Sequence, residues 1–203
     1  MEYINNKYIS LCAKRSDINE HLPVLYEYAK KANVIFETGV RGVISSWALT
    51  KGLLENNSNK KVLIMNDIRR CNNMELLNAT KDLPIKIESI WKNNLEVDIK
   101  DNVDITFIDT WHIYGQLKRE LDKFSKITTK YIIMHDTTVD EIYGETIRCR
   151  MNAELQSKQS GYPIEEIKKG LGPAIKEFLD KNKNWVIEKK LTNNNGLTIL
   201  KKI

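Results

Sequence analysis

Cysteine is scarce: Cys12, Cys71 and Cys149 are the three present, an odd number set far apart. None stands at CxxC spacing or groups with histidine, which excludes a zinc finger and a disulfide framework. Free thiols fit a reducing cytoplasm, the location the sequence predicts. Nine glycines and four prolines are too few for a collagen-like or Pro/Gly-rich disordered chain. No apolar run approaches the roughly 18–20 residues of a membrane helix. The opening Met1-Glu2-Tyr3-Ile4-Asn5-Asn6 lacks the basic, apolar, small-residue succession of a secretory signal. Basic blocks are missing too. The 32 Lys+Arg and 27 Asp+Glu leave a charge of +5, but cations alternate with carboxylates, as in Glu188, Lys189, Lys190. Such interleaving describes a solvated surface and disfavours nucleic acid as a partner. What remains is 203 residues, 41% apolar, read as one globular domain over 1–203 with a sizeable core.

Apolar runs rich in β-formers alternate with helical patterns. Residues 32–36, 61–66, 85–90, 104–108 and 131–134 read as strands. Residues 43–54, 74–83 and 114–124 read as helices between them. That alternation predicts right-handed crossovers and a parallel sheet. The last part breaks the rhythm. A helix over 174–181 starts at Gly172-Pro173, and two strand-like runs, 185–191 and 197–203, flank Thr192-Asn193-Asn194-Asn195-Gly196. Asn-Gly between such runs predicts a hairpin, because both residues tolerate positive φ. Residues 1–20 are mixed and polar and lead into a helix over about 21–31. Residues 138–171 are long and charged, with Tyr143, Arg148, Arg150 and Tyr162, and are expected to form a lid or acceptor-binding segment.

Residues able to carry chemistry gather where the apolar runs end. Glu37-Thr38-Gly39-Val40-Arg41-Gly42 follows the first strand. Gly39 and Gly42 permit a tight turn and close approach of a ligand, and the next helix aims its N–H groups there. The second strand ends in Asn66-Asp67-Ile68-Arg69, at the sheet edge where open α/β folds bind ligands. Asp67 there can accept both hydroxyls of a ribose, or simply cap a helix. Two further runs, Ile105 to His112 and Tyr131 to Thr137, are apolar strands that deliver Asp109, His112, His135 and Asp136 to adjacent ends. Two aspartates and two histidines are expected to converge at one rim.

The run Phe36 to Gly42 resembles the first motif of S-adenosylmethionine-dependent class I methyltransferases. A parallel sheet closed by an antiparallel hairpin is also the outline of that family, and the resemblance covers nearly the whole chain. It implies a Rossmann-like α/β fold with a seven-stranded, mostly parallel sheet and S-adenosyl-L-methionine as cofactor. By resemblance, Gly39 faces the methionine part, Glu37 and Gly42 shape the turn, Asp67 holds the ribose, and Asp109 borders the cofactor. The interval between the glycines is one residue shorter than in many members. The pattern of Asp109, His112, His135 and Asp136 resembles metal-assisted O-methyltransferases of the catechol type and of the cephalosporin-hydroxylase and macrocin type. It implies that Asp109 and Asp136 ligate a divalent cation and that His112 occupies the position of the catalytic base. His135 completes the metal set where an oxygen ligand is usual. Mg²⁺ prefers oxygen, so Mg²⁺, Mn²⁺ and no metal all stay open.

The expected function is O-methylation of a hydroxyl on a small polar acceptor, a sugar or glycan. That acceptor rests partly on resemblance to carbohydrate-modifying methyltransferases, including those of large DNA viruses, and on the polar hairpin turn and 138–171 segment. An aromatic hydroxyl is the alternative acceptor. An RNA-binding or RNA-modifying protein would suit the net charge but lacks a basic stripe with interleaved aromatics. Homo-oligomerisation stays open. Trp111 is expected beside the cofactor or core, Trp47 and Trp185 in the core, and His21 on the surface. Cys149 has no neighbouring base to make it a nucleophile.

Overall fold

The computed structural model describes residues 1–203. Its centre is one seven-stranded sheet: β1 (Val34–Thr38), β2 (Val62–Asp67), β3 (Lys86–Trp91), β4 (Val103–Ile108), β5 (Thr128–His135), β6 (Trp185–Leu191) and β7 (Leu197–Lys202). The order is β3-β2-β1-β4-β5-β7-β6. The first five strands run parallel, and β7 lies antiparallel to both β5 and β6. The helices are α1 (Glu2–Ala13), α2 (Leu22–Ala29), α3 (Ile44–Glu55), α4 (Met74–Thr80), α5 (Tyr114–Phe124), α6 (Glu145–Arg148), α7 (Ala153–Ser160), α8 (Ile164–Lys168) and α9 (Leu171–Lys181).

Strand periodicity divides the core into two layers, because successive side chains point to opposite faces. Ile35, Leu63, Met65, Phe107 and Ile133 pack on one face with Leu25, Trp47, Leu49 and Leu53 from α2 and α3. Their strand neighbours Phe36, Ile64, Ile108, Ile132 and Met134 pack on the other with Leu117, Leu121, Phe124 and Phe178 from α5 and α9. Trp47 and Trp185 are buried, as expected. The hairpin also forms as predicted: Asn194, Asn195 and Gly196 take φ of 45°, 70° and 98°. Gly196 is required twice over, since a Cβ there would lie 2.3 Å from Thr138 Oγ1.

Two expectations change, and the segment 138–171 gains helices that the sequence pattern does not assign. Residues 2–13 form α1, which the polar sequence conceals because Ile4 is its one fully buried side chain. Helix α4 ends at Thr80 and not at residue 83. The segment 138–171 is not one open connection. It folds into α6, α7 and α8, pinned to the start of α5 by Tyr114 N–H on Lys169 O and Glu145 N–H on His112 O, both 2.8 Å. Glycine makes that packing close: a Cβ on Gly170 would sit 2.2 Å from the Asp140 carbonyl oxygen.

Candidate functional site

The turn after β1 is built by its neighbours. Gly39 donates its N–H to Asn66 O at 2.9 Å, and Asp109 N–H reaches Thr38 O at 2.9 Å. The two strand ends touch so closely that a Cβ on Gly39 (φ 87°) would lie 1.8 Å from the Asp109 carbonyl oxygen. Glu37 is fully buried and accepts from Ser45 Oγ (2.5 Å) and Ser46 Oγ (2.6 Å) in the first turn of α3. Burial pushes its carboxyl up to about 7 despite those donors. In and just after the Gly39–Gly42 interval, Arg41 and Val43 have φ of 41° and 62°. Left-handed backbone at a β-branched residue such as Val43 is uncommon and strained. Gly42 is open: a Cβ there would meet nothing nearer than Ile44 at 3.7 Å.

Asp67 joins this turn. One carboxylate oxygen accepts from the N–H groups of Val40 and Arg41, each at 3.0 Å, and the other accepts from Arg69 N–H at 3.0 Å. The structure thus brings Glu37, Gly39, Gly42 and Asp67 into one unit. A cavity of about 270 Å³ beside the turn is lined by Lys7, Lys14, Gly42, Trp47, Asn73 and Glu75, among others.

The second unit lies at the ends of β4 and β5. His112 Nε2 stands 3.2 Å from Asp109 Oδ1 and 3.1 Å from Asp136 Oδ2. His135 Nδ1 approaches the same two oxygens at 3.6 and 3.3 Å. The expected convergence is present. Asp109, His112 and Asp136 each offer a ligand atom within 4.8 Å of the others, so His112 stands with the possible metal donors. Burial opposes ionisation of Asp109, but the two imidazoles outweigh it and hold that carboxyl well below its ordinary range. Burial likewise opposes charge on the histidines. The carboxylates overcome it, raising His112 well above its ordinary value and His135 to about 9.

Sequence reasoning missed three members of this centre. Asp140, fully buried, places Oδ2 3.2 Å from His112 Nδ1 and is gripped by Arg148. Glu145 Oε2 lies 3.9 Å from the same nitrogen. His21, expected on the surface, is fully buried with its ring edge-on to His135, and neither ring nitrogen has a hydrogen-bond partner. The turn before α2 carries it over the end of β5, a placement no local pattern encodes. Glu120 is also buried, accepting from Asn94, Thr110 and Gln116 at 2.5–2.8 Å. Gln116 in turn accepts from Tyr162, whose ring stacks on Trp111.

The hairpin amides expected to meet a sugar are engaged elsewhere. Asn194 accepts from Glu20 N–H and donates to Ser16 O, while Asn193 donates to Glu20 Oε2. No helix is long and apolar enough to cross a membrane.

No family profile matches the chain, and no curated protein matches it. Solved structures do. An O-methyltransferase from Bacillus cereus in complex with S-adenosylhomocysteine is 13% identical, with TM-score 0.59, over 100% of this chain and 90% of its own. A Podospora anserina methyltransferase bound to the same molecule is 14% identical, with TM-score 0.57, over 100% and 88%. An O-methyltransferase from Streptomyces achromogenes in complex with S-adenosylmethionine is 11% identical, with TM-score 0.59, over 93% and 81%. At such identity the likeness is one of fold: the chain has the Rossmann-like fold of class I methyltransferases.

Proposed function

We propose that this protein is an S-adenosylmethionine-dependent O-methyltransferase acting on a hydroxyl of a small polar acceptor, a sugar or glycan. The observation that carries the reading is the contact of Gly39 with Asp109, which sets the turn against the acid–imidazole centre. Cofactor and acceptor sites would then share a border. The fold neighbours captured with S-adenosylmethionine or S-adenosylhomocysteine support the same cofactor.

When bound, the sulfonium supplies a methyl group activated for transfer. Asp67 and the backbone at Gly39 and Gly42 bind the cofactor, with Glu37 bracing the turn from below and Asp109 at its edge. The cofactor would supply the methyl group for the acceptor oxygen, and His112 Nε2 would take the hydroxyl proton. A sugar hydroxyl is a weak acid, so alignment and proton removal are the protein's main tasks.

The residues present fit a divalent cation. Asp136 Oδ1 and both His135 nitrogens are buried without hydrogen-bond partners, and of the four carboxylates Asp109, Asp136, Asp140 and Glu145 only Asp140 is ion-paired with an arginine, Arg148. Asp109 and Asp136 would hold it, with the nitrogen donor coming from His112, which stands with them, or from His135, whose Nδ1 faces the same two oxygens, and it would acidify the acceptor hydroxyl. A mixed oxygen and nitrogen donor set suits Mn²⁺ better than Mg²⁺.

The cavity beside the turn mixes Lys7, Lys14, Asn73 and Glu75 with Leu11, Ile44, Trp47 and Leu76 and is not lined by Asp109, His112 or Asp136, so the sugar acceptor is supported by the sequence resemblance alone. A second reading, an aromatic hydroxyl, is favoured by the exposed Val139, Ile142, Tyr143, Ile147 and Met151 in the segment after β5. Calorimetry with S-adenosylhomocysteine, followed by mass detection of methyl transfer to panels of glycosides and catechols, tests both. Absence of cofactor binding would overturn the function, and transfer only to catechols would replace the sugar.

A further inference from the structure

Gly39, Asp67 and Asp109 each have an immediate chain neighbour in one hydrogen-bonded cluster. Thr38 Oγ1 donates to Asn66 Oδ1 at 3.0 Å and accepts from Asn94 Nδ2 at 2.9 Å. Glu120 Oε1 accepts from Asn94 Nδ2 at 2.5 Å, from Thr110 Oγ1 at 2.6 Å and from Gln116 Nε2 at 2.8 Å. Gln116 Nε2 also donates to Asn94 Oδ1 at 3.1 Å, and its Oε1 accepts from Tyr162 Oη at 2.9 Å. Thr38, Asn66, Asn94, Gln116 and Glu120 are all buried.

The cluster therefore runs from the ends of β1, β2 and β4 to the connection between α7 and α8, where Tyr162 is its outer end. The Tyr162 ring lies nearly parallel to that of Trp111, at 14° and 6.0 Å between centroids. The Arg119 guanidinium stands 4.1 Å from the Tyr162 centroid and pairs with Glu166 of α8 at 2.6 Å. A buried polar group that loses its partner costs more than the bond contributed. Members of such a cluster keep or lose their arrangement together.

We propose that Tyr162 is a positioning residue that couples the segment after β5 to the cofactor turn. Through Gln116, Glu120 and Asn94, the α7–α8 connection and the three strand ends adopt their arrangement as one unit. The methyltransferase reading supplies the ligand that engages the turn, and the proposal rests on it for that ligand only. A ligand that fixes the turn then orders α7 and α8, and by linkage the ordered segment strengthens the binding of that ligand.

A double-mutant cycle on the ligand-free, full-length protein tests the coupling. Thr38→Val and Tyr162→Phe each remove one hydroxyl, at opposite ends of the cluster. For independent sites, the effects on the unfolding equilibrium constant multiply to within about twofold. We expect the double variant to be less destabilised than that product by more than about twofold, and multiplication within that margin overturns the proposal. If Thr38→Val does not fold, Thr110→Val takes its place, since Thr110 enters the same cluster beside Asp109. Hydrogen exchange supplies the readout that a packing defect would not move. Saturating S-adenosylhomocysteine should protect residues 153–168 in the wild type and not in Tyr162→Phe saturated with the same ligand. Equal change in the two proteins overturns the proposal. If the wild type binds no S-adenosylhomocysteine, the functional reading fails, whereas the cycle still decides for or against Tyr162.

Discussion

The rings of His21 and His135 meet edge to face, 5.3 Å between centroids at 77°, with both side chains removed from solvent. The pair sits behind Asp136, so the acid–imidazole centre has an aromatic floor supplied by the N-terminal part of the chain. Burial, followed by repulsion from His135, lowers the pKa of His21 to about 4.

Stability should therefore depend on His21 as pH falls. The unfolded chain binds a proton on this residue near ~6.5, the folded chain only near 4. The stabilisation is complete above the unfolded value and is lost progressively as pH drops from there through the folded one. His21→Phe, which keeps an aromatic ring, should remove a pH dependence on the order of 3 kcal/mol between those limits, about 2 of it by pH 5. Thermal melts at pH 7.5 and pH 5 compare the two proteins. An acid slope equal to wild type would count against the buried neutral ring.

The two glycines of the turn should behave oppositely. Gly39→Ala places a Cβ 1.8 Å from a backbone oxygen and should unfold the turn, at a cost of several kcal/mol. Gly42→Ala has open space, with Ile44 at 3.7 Å, and should leave stability within about 1 kcal/mol. If backbone approach to the cofactor requires a bare Cα there, Gly42→Ala should still lose S-adenosylhomocysteine affinity by about tenfold or more. Calorimetry beside denaturant melts separates the two effects.

Asp67 serves both the turn and the ribose in this reading. Asp67→Ala should weaken S-adenosylhomocysteine binding by about 1.5–3 kcal/mol, the scale of lost charge-assisted hydrogen bonds. Unchanged affinity in a calorimetric titration would remove Asp67 from the cofactor site.

Metal and base make different signatures. If a cation acidifies the acceptor, chelator should abolish turnover, Mn²⁺ or Mg²⁺ should restore it, and Asp109→Asn should resemble the chelated enzyme. If His112 works alone, chelator should do little and His112→Ala should cost about 10²–10⁴ in rate. The surrounding carboxylates raise His112 well above its ordinary value. Without a cation the base is thus protonated at low pH, and rate should climb as pH rises through a value above ~6.5. A rate falling over that range would contradict His112 as the base.

The segment after β5 should exchange unevenly. Gly144, Gly170, Leu171 and Gly172 donate N–H groups to Lys168, Ile142, Asp140 and Glu141, and these amides should be protected with the sheet. Helix α7, largely exposed, should exchange fast and gain protection when cofactor and acceptor bind. Hydrogen-exchange mass spectrometry resolves the two parts. Uniform protection indifferent to ligand would make the whole segment scaffold.

The succession of the strands with α3, α4, α5 and α9 between them, and with it the edge where Asp67, Asp109, His135 and Asp136 emerge, was legible from the sequence, whereas α1, α6, α7 and α8 were not. Each is placed by its own apolar run: a strand of alternating buried side chains must end somewhere, and the residue following it lies at the rim. The hairpin was legible for the same local reason, since Asn195-Gly196 can take the positive φ that closes it. Only the tertiary structure decided which of those rim groups touch what. His21 enters the centre because the turn before α2 lies over β5. Asn193 and Asn194 leave the acceptor face for Glu20 and Ser16, more than 170 residues away in sequence. Asp140 finds Arg148 and His112 because the glycines at 144 and 170 let the segment fold tightly back on itself. Such contacts depend on how whole elements pack, and periodicity along the chain carries no record of it.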